Sequence, residues 1–250
     1  MLNQSSSYFI KTFGGLELQK EEEKKIAASI ATNLEEVKKA KVIGIGTGST
    51  TSYFIDYLPE DILKGKVFVT SSFDSTLRLK QKGAKVLSID SIESIDIYID
   101  GVDAIDDNGT AIKGGGAALF REKLLASMSK YFVAIADTSK LKKELNNSFI
   151  PIEVKPEAVN YVIKKLKDIG VIGNVRYSKE GKWGPVISDS YGVIVDIQIK
   201  NWKISLEELN NTLKSITGVV ETGLFIGMID ALIIGGEPPI VKQFYRKGKN

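Results

Sequence analysis

VIGIGTGSTT, residues 42–51, reads as a buried strand (VIGIG, 42–46) running through a glycine turn into a helix over 50–58 that Pro59 ends. Further helices and short strands flank this unit, with no internal repeat. Upstream, residues 18–40 are rich in Glu, Lys and Ala and carry Ile26, Ile30 and Leu34 at i, i+4 and i+8, the spacing of an amphipathic helix. Downstream come the strand KVFVTSS (66–72), a helix over 74–82 with Asp74 as its N-cap and Gly83 as its stop, and the strands KVLSI (85–89) and IDIYID (95–100). A Gly-rich turn then leads into a helix over 115–130, followed by the strand FVAIAD (132–137). Short apolar strands alternating with helices predict an α/β fold with a doubly wound, mostly parallel, Rossmann-like sheet. Such sheets take ligands beyond the carboxyl ends of their strands. Thr47, Gly48, Ser49 and Thr50, then Ser71 and Ser72, then Asp100 all fall at those ends.

After Asn147 the pattern changes. FIPIEV (149–154), a helix over 157–168, VIGNVRY (171–177), GVIVDIQI (192–199), a helix over 206–216 and VVETGLF (219–225) spell βαββαβ, the split ferredoxin-like α+β arrangement. The apolar run ALIIG (231–235) is expected to return to the first sheet. The division that follows has three parts: a weakly ordered N-terminal extension over 1–19, a Rossmann-like domain over 20–147 and 226–250, and a smaller ferredoxin-like domain over 148–225.

Composition narrows the chemistry. The chain has 250 residues, 43% of them apolar, enough to bury a sizeable core. Lys and Arg total 34 against 31 Asp and Glu, and a net charge of +3 is too small to argue for nucleic acid. The basic tail YRKGKN (245–250) reads as solvated chain. The absence of Cys removes disulfides, thiolate nucleophiles and Cys-type zinc sites. The absence of His removes the commonest general base and any Ser-His-Asp triad, so proton transfer falls to Asp, Glu, Lys or Tyr. MLNQSSSYFIKTFGG at the N-terminus lacks a signal-peptide layout and the Arg enrichment of a transit segment. No stretch reaches the ~18 apolar residues of a membrane span. A cytoplasmic protein with no membrane partner is expected.

GIGTGSTT (44–51) suits a phosphate: glycines let the backbone approach an anion, and free N–H groups open the helix beside the Thr and Ser hydroxyls. It does not suit a dinucleotide, because the sixth fingerprint position is Ser49 and the second strand ends in Ser71 and Ser72 instead of a ribose-binding acid. A Walker lysine is missing too. Asp100 and Asp103, in IDGVDAIDD (99–107), crowd two carboxylates at a strand end; they hold a polar or cationic group, or a divalent metal, or cap a turn. AIKGGGAALFREKLLAS (111–127) sets Lys113 before Gly114, Gly115 and Gly116 at a helix start. Each glycine costs chain entropy, so the backbone there is expected to meet a ligand. Glu122 points about 120° from the stripe made by Ala117, Phe120, Leu124, Leu125 and Met128, toward solvent or a cleft. Taken alone, the glycine turn can also be read as a plain βα turn, and Arg121, Glu122 and Lys123 as a solvated helix face.

Taken together, GIGTGST, the Ser71-Ser72 strand end, DIYIDGVD, IKGGGAALFREKLLAS and IADTSK stand in the order found in the ribose-5-phosphate isomerase type A family. From about residue 21 onward the chain resembles that family. The resemblance implies interconversion of D-ribose 5-phosphate and D-ribulose 5-phosphate in the non-oxidative pentose phosphate pathway, with no cofactor or metal, by a homodimer or homotetramer. Carried over by motif, Glu122 is the base and Thr47, Gly48, Ser49 and Thr50 form the phosphate loop. Asp100 and Asp103 are the sugar-facing acids, with Gly101 and Val102 between them. Lys113 with Gly114, Gly115 and Gly116 makes the next contact, and Lys140 of IADTSK and Lys24 of the first helix add two more. The family usually reads DGADE, where this chain has Ala104, and often has Thr where this chain has Phe120, a residue expected to pack. Competing readings are an amino-sugar-phosphate isomerase/deaminase or coenzyme A transferase of related fold, and a sugar-phosphate-binding regulator. The lack of His counts against the deaminase, and the lack of a DNA-reading module counts against the regulator.

Overall fold

The computed structural model describes residues 5–146, 148–179, 181, 183–198 and 204–246, with side chains from Leu16 onward. The first half runs α1 (Ser5–Thr32), α2 (Glu35–Lys39), β1 (Val42–Ile45), α3 (Ser49–Tyr57), α4 (Glu60–Gly65), β2 (Val67–Thr70), α5 (Phe73–Gln81) and β3 (Lys85–Val86). Next come β4 (Ile97–Gly101), β5 (Ala104–Ile105), β6 (Ala111–Ile112), α6 (Leu119–Met128) and β7 (Phe132–Ala136). The remainder is β8 (Phe149–Val154), α7 (Val159–Asp168), β9 (Ile172–Val175), β10 (Val193–Gln198), α8 (Leu206–Ser215), β11 (Val219–Thr222), β12 (Leu224–Phe225), β13 (Ala231–Ile234) and β14 (Ile240–Gln243).

A seven-stranded sheet has the order β14-β13-β7-β4-β1-β2-β3, parallel throughout except for β14 at its edge. Its strands are short and almost wholly apolar because both faces are covered. On one face Ile43, Ile45, Phe54, Phe68 and Ile97 pack beneath the fully buried Ala27, Ala28 and Ala31 of α1. On the other, Val69, Tyr98, Phe132 and Ala134 meet Leu125 of α6. The order reverses between β1 and β4, the switch point where doubly wound sheets open a crevice. A second, antiparallel sheet has the order β11-β8-β10-β9, its core built from Ile150, Ile152, Val195 and Ile197 under Leu166, Leu209 and Leu213 of α7 and α8. A small sheet, β12-β6-β5, lies between them in the chain's connections. As expected, the 231–234 strand joins the first sheet, parallel to β7.

Several boundaries differ from the sequence reading. The helix expected over 18–40 is two helices, and the first begins at Ser5, so no helix end marks the expected edge of an extension at residue 19. No proline interrupts that stretch, and Gly14 and Gly15 weaken a helix without stopping it. The helix expected over 115–130 spans only Leu119–Met128, because Gly114 (φ +109°) and Ala117 (φ +58°) are left-handed and Ser129 is extended. The N-cap of α5 is Ser72, which accepts from Ser75 N–H, and Asp74 instead pairs with Arg78. The single strand expected over 219–225 splits at Gly223 into β11 and β12, which belong to different sheets. Residue 199 and the last four of the basic tail lie outside the described residues.

Candidate active site

β4 delivers Asp100, fully buried, to the switch point. A Cβ on Gly46 would stand 1.8 Å from the Asp100 carboxyl carbon, so only glycine lets β1 pass this close. The carboxylate accepts from Thr47 N–H (3.2 Å) and Gly101 N–H (2.7 Å) on Oδ1. Its Oδ2 accepts from the Tyr98 hydroxyl and lies 2.7 Å from Lys113 Nζ. Burial pushes the Asp100 carboxyl above its ordinary range, against the pull of the Lys113 ammonium.

Lys113 leaves β6 and turns inward, its N–H held by Gly223 O at 2.9 Å and its Nζ donating to Gly101 O at 2.5 Å. The same Nζ stands 3.4 Å from Glu122 Oε2. Burial alone would lower the Lys113 ammonium's pKa, but the Asp100 and Glu122 carboxylates outweigh it and raise it. Glu122 sits in the first turn of α6, 2% exposed. Its Oε2 is buried without a hydrogen-bond partner among the described residues. Burial foremost, then the like charges of Asp100 and Asp103, lift its carboxyl from 4.5 to about 8, with Lys113 opposing. A carboxyl near neutrality that can still shed its proton is suited to general-base work.

The cavity above these groups, about 180 Å³, is lined by Lys24, Thr47, Gly48, Ser49, Thr50, Gly101, Val102, Asp103, Lys113, Gly114, Gly115, Gly116, Glu122 and Lys140. At its far end Gly48, at φ +129°, precedes α3 with no side-chain cap, leaving the helix's first N–H groups to an anion. Lys24 reaches this end from α1, paired with Glu21 at 2.5 Å, and the Tyr53 hydroxyl holds Glu21 at 2.8 Å. The buried Glu23 ties α1 to the 138–140 turn by accepting from Thr138 N–H (2.8 Å) and Thr138 Oγ1 (2.7 Å), which brings Lys140 to the same rim. Among the described residues no group of three or more Asp and Glu is gathered to hold a metal ion.

The residues expected to bind substrate or move a proton line this cavity, except Asp100, which is buried beneath it; Ser71 and Ser72, just after β2, do not line it. Asp100 and Asp103 each hold a polar or cationic group, as expected: Asp100 is buried against Lys113, the exposed Asp103 accepts from Gly115 N–H at 2.7 Å, and the charges of both act on Lys113 and Glu122. Ala104 is buried in β5, opposite Ile112. Phe120 is only half-buried and lines a separate surface cavity with Arg121 and Leu124. Two contacts were missed. Tyr98 lies two residues before Asp100, and the two-residue period of a strand puts both side chains on one face. Ser71 shares a 2.7 Å hydrogen bond with Thr47, which nothing local in either stretch announces.

Fold and cavity together define a class: a doubly wound α/β enzyme whose cavity can hold an anion at one end and move a proton at the other. The sequence profile of ribose 5-phosphate isomerase A (phosphoriboisomerase A) matches residues 67–238. Ribose-5-phosphate isomerase A of Trichodesmium erythraeum is 37% identical over 206 residues, 80% of this chain and 86% of that one. The solved ribose 5-phosphate isomerase A of Methanocaldococcus jannaschii superposes with a TM-score of 0.81 at 32% identity, covering 88% of this chain and 97% of that one. A D-ribose-5-phosphate isomerase solved in complex with phospho-erythronic acid gives 0.82 at 33%, covering 90% and 99%. The chain belongs to the ribose 5-phosphate isomerase A family.

Proposed function

We propose that the chain interconverts D-ribose 5-phosphate and D-ribulose 5-phosphate, with Glu122 as the base. The observation that carries the reading is the Glu122 carboxylate, buried in the cavity with one oxygen that has no hydrogen bond among the described residues and stands 3.4 Å from the Lys113 ammonium. A binding-only protein gains nothing from holding a carboxylate in that costly state.

In the open-chain aldose, Glu122 removes the proton from C2, and the electrons move into an enediolate as the C1 carbonyl becomes an alkoxide. The proton returns to C1, the C2 oxygen becomes the carbonyl, and a hydroxyl proton passes between O2 and O1, so atoms and charge balance. One carboxylate serves both carbons because they are neighbours. The developing negative oxygen is met by Lys113 Nζ and by backbone N–H groups of the glycine loop, fixed before the reaction begins. Asp103, which lines the cavity, holds hydroxyls and assists opening of the furanose ring, whereas the fully buried Asp100 is out of the sugar's reach and instead fixes Lys113 from beneath. The α3 N-terminus, Lys24 and Lys140 anchor the phosphate, and that remote binding energy aligns C1 and C2 with Glu122.

No step calls for a cofactor or metal ion, since Lys113 already supplies positive charge where the enediolate forms. Two further elements of the reading rest on family resemblance alone: assembly into a homodimer or homotetramer, and a cytoplasmic location. The test is incubation with ribose 5-phosphate in a strong chelator, following ketose formation. Activity abolished by the chelator and restored by Mg²⁺ would overturn the metal-free mechanism, and no ketose under any condition would overturn the activity.

A further inference from the structure

The loop that carries Lys113 is gripped from the second sheet. Arg176, directly after β9, donates from one guanidinium nitrogen to Gly114 O (2.8 Å) and Gly115 O (3.0 Å). Its other edge is held by Asp196 of β10, Nε to Oδ2 at 2.8 Å and the second terminal nitrogen to Oδ1 at 2.5 Å. Asp196 thus aims a planar fork at two consecutive carbonyls, which a lysine could not reproduce.

A trans peptide points each N–H opposite to the carbonyl before it. Turning the Gly114 carbonyl to Arg176 turns Gly115 N–H the other way, and it meets Asp103 at 2.7 Å. Turning the Gly115 carbonyl to Arg176 does the same for Gly116 N–H, which has no hydrogen-bond partner among the described residues, and Gly116 lines the cavity. Gly114, at φ +109°, has the conformational freedom to change this arrangement; besides Arg176, Ala117 N–H holds its carbonyl at 3.0 Å, whereas Gly115 O accepts from Arg176 alone among the described residues.

We propose that Arg176, aimed by Asp196, is a positioning residue for the isomerisation: it fixes both loop carbonyls outward so that Gly115 N–H holds Asp103 and Gly116 N–H faces the oxyanion. The second sheet then orients a catalytic loop that it does not itself contain. The proposal rests on the isomerase reading and adds a residue to it.

The experiment uses full-length Arg176→Ala, Arg176→Lys and Asp196→Asn proteins. It reads kcat and KM with ribose 5-phosphate, and dissociation constants for inorganic phosphate and for phospho-erythronic acid, whose carboxylate resembles the enediolate oxygens. Misplacing reacting groups by about 1 Å can cost ~10²-fold, so kcat of Arg176→Ala is expected to fall by about that factor, with smaller losses in the other two. Phospho-erythronic acid should bind more weakly while inorganic phosphate binds as before, and ethylguanidinium should restore part of the lost rate to Arg176→Ala. If that variant does not fold, Arg176→Lys and Asp196→Asn decide alone. Unchanged kcat in the folded variants, or equal loss of both ligands, overturns the proposal. A wild-type chain inert toward ribose 5-phosphate sinks the isomerase reading and this proposal with it; an active wild type matched by its variants sinks the proposal alone.

Discussion

Glu122 concentrates the chemistry of the site. Its carboxyl, raised to about 8 chiefly by burial, must be ionised to accept the C2 proton. The value of kcat/KM is therefore expected to climb about tenfold per pH unit below that value and to level off above it; a profile flat from about pH 5 to about pH 8 would show that another group is the base. Glu122→Gln keeps the shape and removes the base, so turnover should drop by at least ~10²-fold, with C2–solvent deuterium exchange lost in parallel and substrate binding little changed. Activity close to that of wild type would pass the role to Asp103. Stability moves the opposite way to activity. A carboxyl raised from 4.5 to about 8 binds more protons folded than unfolded between those values, so its stabilising contribution is full below 4.5 and lost as pH rises through about 8. Glu122→Gln, which does not titrate, should gain in melting temperature relative to wild type from about pH 5 to about pH 9. Helical periodicity set this side chain apart from an apolar stripe that included Phe120, Leu124 and Met128, but those three are only half-buried, and the buried face of α6 is Leu119, Glu122, Leu125 and Ala126, with Glu122 in its middle. Periodicity could not reveal the burial, because Asp100 and Lys113 lie beneath Glu122 from strands distant in sequence, and a helical wheel knows only its own helix.

Among the elements, the β1–α3 unit was legible because its strand, its glycine turn and its proline stop are all local signals. The same holds for the second sheet, whose strands and helices follow the expected βαββαβ order with ends moved by a few residues. β5 and β6 were not legible, and β12 was read only as the end of the 219–225 strand: each is two residues long, too short for any periodicity, and the three pair with one another as a separate sheet. β14 escaped for a related reason, being an edge strand with mostly exposed side chains. At the phosphate end, Gly48 adopts φ +129° with open space where a Cβ would stand. In Gly48→Val the backbone strain costs about 1–3 kcal/mol, and the isopropyl group projects into the anion's approach. Hydrogen bonds to charged groups are worth about 1.5–3 kcal/mol, so losing one or two of them should raise KM for ribose 5-phosphate by about tenfold or more, while the far-UV circular dichroism stays that of wild type. An unchanged KM would place the phosphate elsewhere.

At the scale of the whole molecule, the site exists where two sheets are joined, through Arg176 on the glycine loop, through Lys123 on Glu221 and Thr222, and through Gly223. Gly223, between β11 of the second sheet and β12 of the small one, accepts from Lys113 N–H at 2.9 Å and donates its own N–H to Pro151 O at 2.6 Å. One residue thus ties the catalytic lysine's backbone to β8. A Cβ at Gly223 would stand 2.2 Å from Lys113 O and 3.0 Å from Pro151 Cδ and O. Two of those three atoms are backbone, so no rotamer change relieves the clash; β12 must move from β6, or β8 from both. Overpacking of this kind typically costs about 1–3 kcal/mol, and Gly223→Ala should be destabilised by at least that. Its effect on turnover should exceed what the loss of stability explains, because the displaced Gly223 carbonyl holds the backbone N–H of Lys113, where the glycine loop starts. A fall in kcat of about tenfold or more in protein that is still fully folded at the assay temperature is the expected result. Gly65→Ala is the control: at the end of α4, with nothing within 4 Å of the new Cβ and no left-handed backbone, it should be neutral or stabilise by about 0.4–1 kcal/mol and leave turnover alone. Melting curves and kcat measured on both proteins decide the matter. A Gly223→Ala enzyme with wild-type kcat would mean that the second sheet can shift without disturbing Lys113, and that the two sheets are neighbours rather than parts of one active site.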